Sequence, residues 1–100
     1  LGFAALAAAP AAAETIQIKV VDMVFTPARV SAHVGDTIEW VNGDFVAHTA
    51  TSRDKAATDR KWDVVLPANG RGRVTLEHAG TIDYCCRFHP NMVGHISVAR

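Results

Sequence analysis

This chain of 100 residues has no excess of positive or negative charge, and it has few aromatic residues and few cysteines. Its ten basic and ten acidic residues balance, so the net charge selects neither a nucleic acid nor an anionic membrane surface as a partner. Its two cysteines, Cys85 and Cys86, are adjacent, which excludes the spaced framework of a disulfide-stabilised mini-protein. A disulfide between them is also disfavoured, because neighbouring Cα atoms lie about 3.8 Å apart and disulfides prefer about 5.5–6 Å.

An uncharged, alanine-rich segment occupies residues 1–13. It is too short for a membrane-spanning helix, which needs about 20 apolar residues, and no membrane insertion is expected. Its composition is typical of the remnant of a secretory signal peptide, although an alanine- and proline-rich leader with no targeting role has the same composition. We interpret residues 14–100 as the folded domain of an exported, periplasmic protein, which places its cysteines in an oxidising compartment.

The hydrophobic content of 49% is sufficient for one domain with one core. Short stretches rich in Val, Ile and Thr alternate with turn residues, and no stretch of about twelve residues keeps a helical period without a breaker. About seven or eight short strands predict an all-β fold, a Greek-key β-sandwich. The predicted strands are residues 16–20, 29–34, 37–42, 62–66, 71–77, 81–86 and 94–98.

Two connecting segments carry specific expectations. Gly35 and Asp36 are typical of a tight turn, and they predict a hairpin between the strands at 29–34 and 37–42. Residues 52–61 form the most polar segment, which predicts a solvent-exposed loop or a short irregular helix.

The segment that carries chemistry lies near the carboxyl terminus, where Cys86, His89 and Met92 follow one another at three-residue spacings. Strand alternation places Cys86 on the same face as Ile82 and Tyr84, so Cys86 is expected to point inward and its neighbour outward. A thiolate, imidazoles and a weak axial thioether form the ligand set of a blue-copper electron-transfer site.

A second imidazole is available from His48, eight residues after Trp40 and beyond the end of a predicted core strand. From there it can reach the end of the sandwich that carries residues 86–92. The sequence therefore predicts a copper site made of His48, Cys86, His89 and Met92.

Residues 34–42, then His48, then the Cys-x-x-His-x-x-Met spacing resemble the cupredoxins, the type 1 blue copper proteins, and the two-residue gaps resemble their amicyanin subgroup. The resemblance covers about residues 14–98. It implies one type 1 copper per chain, with the thiolate and both imidazoles in a trigonal plane and the thioether as weak axial ligand. The chain departs from the family at Thr49, where Asn is usual, and at Arg87 and Phe88, where a small hydroxyl residue and Pro are usual.

The resemblance implies an electron carrier rather than an enzyme, cycling copper between Cu(II) and Cu(I). Redox proteins are its expected partners, a donor dehydrogenase and an acceptor cytochrome or oxidase, and a monomer is expected. In the family the second histidine ligand, here His89, protrudes through an apolar docking surface. The resemblance assigns that surface to Phe88, Pro90, Met92 and Val93.

Other interpretations of the same residues remain open. A periplasmic copper-binding or delivery protein without an electron-transfer role binds the same ion, but open ligation rich in Met and His suits it better than this set. Zinc is the competing metal, although structural zinc sites use several Cys or His ligands and no thioether. Cys/His nucleophilic catalysis needs orienting and oxyanion groups that the sequence does not place. His33, His78 and His95 are expected on the surface, and Met23 in the core.

Overall fold

The computed structural model describes residues 12–53 and 61–100. Within these ranges the chain forms nine strands and no helix, which confirms the all-β prediction. The strands are β1 Thr15–Val21, β2 Val24–Thr26, β3 Arg29–His33, β4 Thr37–Asn42, β5 His48–Ser52, β6 Asp63–Leu66, β7 Arg71–Thr75, β8 Gly80–Cys85 and β9 Val93–Ala99. They form a four-stranded sheet in the order β2-β1-β4-β7 and a five-stranded sheet in the order β3-β9-β8-β5-β6.

Strand directions bring several connections to one end of the sandwich, here called the His48 end. In the five-stranded sheet β8 ends, and β5 and β9 begin, at this end, because β8 is antiparallel to both. In the four-stranded sheet β1 is parallel to β4, so the β1–β2 turn and residues 43–47 lie at a common end. The His48 end therefore collects residues 22–23, 43–47 and 86–92.

The core consists of the inward faces of both sheets. Ile18 and Trp40 are register partners in the parallel β1–β4 pair, and both are fully buried. The ring of Tyr84 lies 4.8 Å from that of Phe25 and 5.5 Å from that of Trp40, centroid to centroid. The Trp40 indole Nε1 donates to the Tyr84 hydroxyl at 3.2 Å, which gives each of these buried polar groups a partner. Burial raises the pKa of Tyr84 to about 12.

The predicted hairpin at Gly35 and Asp36 is wrong. β3 pairs in parallel with β9 in one sheet, whereas β4 pairs with β1 and β7 in the other, so the turn crosses between sheets. Gly35 has a φ of 100° and donates its backbone N–H to Leu76 O. The Asp36 carboxylate accepts backbone N–H groups from His33 and Glu14, one beside each sheet. These contacts carry the chain from one sheet to the other. The local turn motif, taken alone, predicts a reversal of the chain within one sheet.

Two strands and one side chain differ from expectation. β2 and β5 are additional to the strands predicted from apolar alternation, because β2 has three residues and β5 is rich in Thr and Ala. Met23, expected in the core, is 39% exposed and has a φ of 64° in the β1–β2 turn. The β1–β2 turn, which contains Met23, extends beyond the paired residues of the two strands, and the Met23 side chain is therefore partly exposed rather than in the core.

Two sequence predictions fall mostly on undescribed residues. Residues 1–11 of the predicted signal-peptide remnant and residues 54–60 of the predicted polar loop lie outside the described ranges. Among the residues that are described, no helix is long and apolar enough to cross a membrane.

Candidate metal centre

Three of the predicted ligands meet at the His48 end. His48 stands at the first position of β5, Cys86 directly follows β8, and His89 lies in the loop that leads to β9. The Cys86 Sγ lies 3.8 Å from the Nδ1 atom of each histidine, and the three donor atoms all lie within 4.8 Å of one another. His48 and Cys86 are fully buried and His89 is half-buried, so one edge of the cluster faces solvent.

Met92 is held beside this cluster by the backbone of its loop. The Cys86 N–H donates to Met92 O at 3.1 Å, and the Met92 N–H donates to His89 O at 2.9 Å. The loop therefore closes on itself, and Met92 is 4% exposed. As alternation predicts, Cys86 points inward while Cys85 is half-buried on the other face of β8.

The measured separations fit a shared metal ion. Two ligands that bind one ion at about 2.0 Å through nitrogen and about 2.3 Å through sulfur, at an angle of about 120°, lie roughly 3.7 Å apart. The observed sulfur-to-nitrogen separations of 3.8 Å agree with this value. A donor set of one thiolate and two imidazoles, with a methionine in the same loop, suits copper better than structural zinc, whose sites use Cys and His ligands without a thioether.

The Asp44 carboxylate orients the first histidine. Its Oδ2 lies 2.8 Å from His48 Nε2, and because an ionised carboxylate only accepts, Nε2 carries the proton and Nδ1 keeps a free lone pair toward Cys86. The His48 imidazole and then the Met23 backbone N–H hold the pKa of the Asp44 carboxyl below its ordinary value. The carboxylate that fixes the imidazole is therefore ionised at neutral pH.

Asp44 also joins neighbouring segments of the His48 end. Besides the imidazole it accepts the backbone N–H groups of Asp22 and Met23, both of which have positive φ. Its own N–H donates to the buried Asn42 side chain. Sequence analysis did not find Asp44, since a carboxylate four residues before a histidine in an irregular loop has no periodic signal.

The sulfur of Cys86 has a hydrogen-bond donor of its own. The Thr49 backbone N–H lies 3.4 Å from Sγ, and the Thr49 hydroxyl accepts the Arg87 backbone N–H at 2.8 Å. Thr49 thus contacts both the thiolate and the residue that follows it. Hydrogen bonds of this kind orient a ligand and adjust its electronic character.

Exposed apolar side chains lie at the same end of the sandwich as the half-buried His89. Phe88 is 51% exposed and lines an open groove together with His89, Pro90 and Met23. Phe45, in the loop that carries Asp44, is 91% exposed. Of the residues that the resemblance assigns to this surface, Phe88 and Pro90 are exposed, whereas Met92 is buried and Val93 is half-buried.

Comparisons with known proteins agree with this geometry. The chain matches the family described as Cupredoxin-like domain over residues 1–98. Amicyanin from Paracoccus versutus is 28% identical over 94 residues, which are 93% of this chain and 71% of the relative. Amicyanin-alpha from Methylorubrum extorquens is 28% identical over 89 residues, 88% of this chain and 75% of the relative. A solved structure, the reduced Cu(I) form at pH 4 of a proline-to-glycine mutant of amicyanin, superposes with a TM-score of 0.76 at 25% identity, covering 84% of this chain and 81% of that one.

The resemblance noted in the sequence is confirmed by these matches. The converging side chains supply one thiolate sulfur and two imidazole nitrogens, with a thioether residue held against them by backbone hydrogen bonds. The chain therefore belongs to the cupredoxin-like family, and the donor set that it carries is that of a type 1 copper site.

Proposed function

We propose that this protein is an electron carrier that binds one copper ion through His48, Cys86, His89 and Met92 and shuttles single electrons between redox proteins. The observation that carries the proposal is the convergence of two Nδ1 atoms and one Sγ within 4.8 Å at a largely buried position. Bound copper supplies one-electron chemistry by alternating between Cu(II) and Cu(I).

The protein's own contribution is to hold the donors in one arrangement. Asp44 fixes the tautomer of His48, and Thr49 donates its backbone N–H to the Cys86 sulfur. The two ligands His48 and Cys86 are fully buried, which keeps water away from the donor atoms. Donors already gathered in one place need little rearrangement when the charge of the ion changes, and this favours rapid electron exchange.

The surface around His89 supports docking with other redox proteins. His89 is the half-buried member of the cluster, and Phe88, Pro90 and Phe45 leave apolar area exposed at the same end. Electron-transfer encounters use small, transient interfaces, for which a few exposed apolar side chains are sufficient. We propose a donor dehydrogenase and an acceptor cytochrome or oxidase as partner classes.

We also propose that the protein acts in the periplasm, with residues 14–100 as its folded domain. The support is compositional, because residues 1–13 are uncharged and rich in alanine as in the apolar part of a secretory signal. Export would place both cysteines in an oxidising compartment, where the half-buried Cys85 is the more accessible thiol.

Burial distinguishes the electron carrier from a copper-delivery protein. Delivery requires ready release and favours open ligation, whereas His48 and Cys86 are 0% exposed and Met92 is 4% exposed. With three of the four proposed ligands buried and His89 half-buried, this donor set favours a protein that retains its ion through the redox cycle.

The direct test is a titration of the metal-free protein with Cu(II), followed by visible absorption. We expect an intense thiolate-to-copper band at one equivalent, because a Cys86 thiolate bound to Cu(II) gives a strong charge-transfer transition. Cys86→Ser should abolish the band and Cys85→Ser should leave it nearly unchanged, since Cys85 lies on the other face of β8. A band that survives the first substitution and disappears with the second contradicts the ligand assignment.

A second measurement separates electron transfer from delivery. The copper-loaded protein is reduced and reoxidised repeatedly in the presence of a Cu(I) chelator, and the retained metal is measured after each cycle. An electron carrier keeps its copper and recovers its colour. Rapid loss of Cu(I) to the chelator would instead favour delivery.

A further inference from the structure

A closed ring of hydrogen bonds begins and ends on Arg87, the residue after Cys86. The Arg87 backbone N–H donates to Thr49 Oγ1 at 2.8 Å, and Thr49 Oγ1 lies 2.9 Å from Thr51 Oγ1. The Thr51 hydroxyl donates to Asp63 Oδ1 at 2.6 Å, and Arg87 Nε donates to the same oxygen at 2.9 Å. The ring joins the ligand loop to β5 and to the edge strand β6.

The proton directions around this ring are all determined by Asp63. An ionised carboxylate only accepts, so the Thr51 hydroxyl must donate to it and is left to accept from the Thr49 hydroxyl. The Thr49 hydroxyl then accepts the Arg87 N–H. Each hydroxyl both donates and accepts, and hydrogen bonds in such a chain strengthen one another.

The opposite charges of Arg87 and Asp63 reinforce this arrangement. The Arg87 guanidinium and then the Thr51 hydroxyl lower the pKa of Asp63, and Asp63 in turn raises the pKa of Arg87. The guanidinium carbon of Arg87 also lies 5.3 Å from the centre of the Phe88 ring. The Arg87 side chain is thus held between β6 and the apolar surface around His89.

Through Thr49 the ring also reaches the sulfur of the metal centre, because the backbone N–H of the same residue donates to Cys86 Sγ.

We propose that Arg87 and Asp63 are positioning residues, which hold the ligand loop, residues 86–92, against β5 and β6 and thereby set the geometry of the metal centre. The proposal rests on the proposed copper function for its effect on the metal. The contact between loop and strands is made by Arg87, Thr49 and Asp63 and includes none of the proposed ligand atoms.

The experiment compares Arg87→Gln, Asp63→Ala and the double variant with the unsubstituted protein. In the metal-free protein, hydrogen exchange of the backbone amide at position 87 should become about two- to five-fold faster in each single variant, the range expected for a half-exposed ion pair. The double variant should exchange at about the rate of the Asp63→Ala variant, because Asp63→Ala already removes the acceptor of both Arg87 and Thr51. In the Cu(II) form, both single variants should shift the visible bands in the same direction.

Arg73→Gln is the matched control. Arg73 Nε donates to Glu39 at 2.8 Å, and its side chain is 63% exposed, but this pair lies on the four-stranded sheet. A general loss of stability should therefore appear in Arg73→Gln as well. Faster exchange of the amide at position 87 and shifted visible bands of the Cu(II) form should be absent from this control. The proposal is overturned if Arg87→Gln and Asp63→Ala match the unsubstituted protein, or if Arg73→Gln changes exchange and bands equally. If no form develops colour with Cu(II), the copper function fails, while the exchange rates still decide whether the ring holds the loop.

Discussion

At the level of single residues, Asp44 and His48 form the contact on which the proposed ligand geometry depends most. The carboxylate accepts from Nε2 and leaves Nδ1 as the free donor atom. It also accepts two backbone N–H groups from the β1–β2 turn, so its own position is fixed independently of the histidine. An imidazole that is already held in the metal-binding tautomer binds a metal ion more tightly than one that is free to adopt either tautomer.

Asp44→Ala is expected to weaken Cu(II) binding by about 10- to 100-fold, because the orienting acceptor of His48 is lost. Competition with a chelator of known affinity measures this effect. Asp83→Ala is the matched control, since Asp83 makes a similar contact to His95 at 2.6 Å, away from the donor cluster. Equal weakening by both substitutions would show that the effect does not pass through His48.

The residues proposed as ligands are candidates from the sequence alone, whereas the residues that support them could not be predicted from it. Cys86, His89 and Met92 share one short loop, so their spacing alone places them together. The Asp63–Arg87 contact joins residues 24 positions apart and depends on the register of β5 with β6. A single sequence does not give that register.

At the level of elements, the β8–β9 pair depends on a glycine. Gly94 is the register partner of Tyr84, and a Cβ at this position would overlap the Tyr84 ring. The ring is confined by Phe25 and by its hydrogen bond from Trp40, so it has no space into which to move. A side chain as small as a methyl group is therefore excluded here.

Gly94→Ala is expected to destabilise the protein by about 1–3 kcal/mol, the usual cost of overpacking a close-packed core. Urea unfolding of the metal-free protein measures the change. Gly43→Ala serves as comparison, because the nearest atom to its Cβ is a Val21 methyl group at 3.3 Å, which can shift. A Gly94 variant as stable as the Gly43 variant would contradict the packing argument.

Strand prediction succeeded where apolar residues alternate and failed where neighbouring strands supply the burial. Ile16, Ile18 and Val20 identify β1 by their period of two. β5 carries His, Thr, Ala, Thr and Ser, and its first three residues are buried because it lies between β8 and β6. Position within the sheet, rather than local hydrophobicity, makes this segment a strand.

At the level of the whole molecule, the two sheets are joined by Asp36. Its carboxylate accepts the Glu14 N–H, just before β1, and the His33 N–H, at the end of β3. The backbone N–H of Glu14 and then that of His33 hold the pKa of Asp36 below its ordinary value of 3.8, and the nearby His33 imidazole acts in the same direction. The ionised carboxylate therefore stabilises the contact between sheets.

This contact predicts a pH-dependent part of the stability. A carboxyl whose pKa is lower in the folded state contributes its full stabilisation above the unfolded pKa and loses it as the pH falls through the folded value. Asp36→Asn should therefore cost about 1–3 kcal/mol at pH 7 and much less at a pH below the folded pKa of Asp36. Urea unfolding across this pH range measures both values, and an equal cost throughout would contradict the assignment.

The exposed apolar surface at the His48 end predicts how two copies of the protein exchange electrons. Phe45→Asp should slow electron self-exchange between Cu(I) and Cu(II) forms about tenfold, corresponding to about 1.4 kcal/mol of docking free energy. Line broadening in NMR spectra of mixed samples measures the rate. Val34→Asp is the control, because Val34 is 41% exposed near the start of β4, at the opposite end. Equal slowing by both variants would show that charge alone, and not the docking surface, controls the encounter.

The ring that holds Arg87 has a consequence for transplanting this site into other proteins. Residues 86–92 would carry three of the four proposed ligands with them, but the groups that hold position 87 remain behind on β5 and β6. A recipient therefore needs the hydroxyl of Thr49 and the carboxylate of Asp63, or their equivalents, before the grafted loop can adopt the same conformation. We therefore expect that the loop is not a self-contained module, and that a substitution at position 49 or 63 alters which loop sequences the protein can accept.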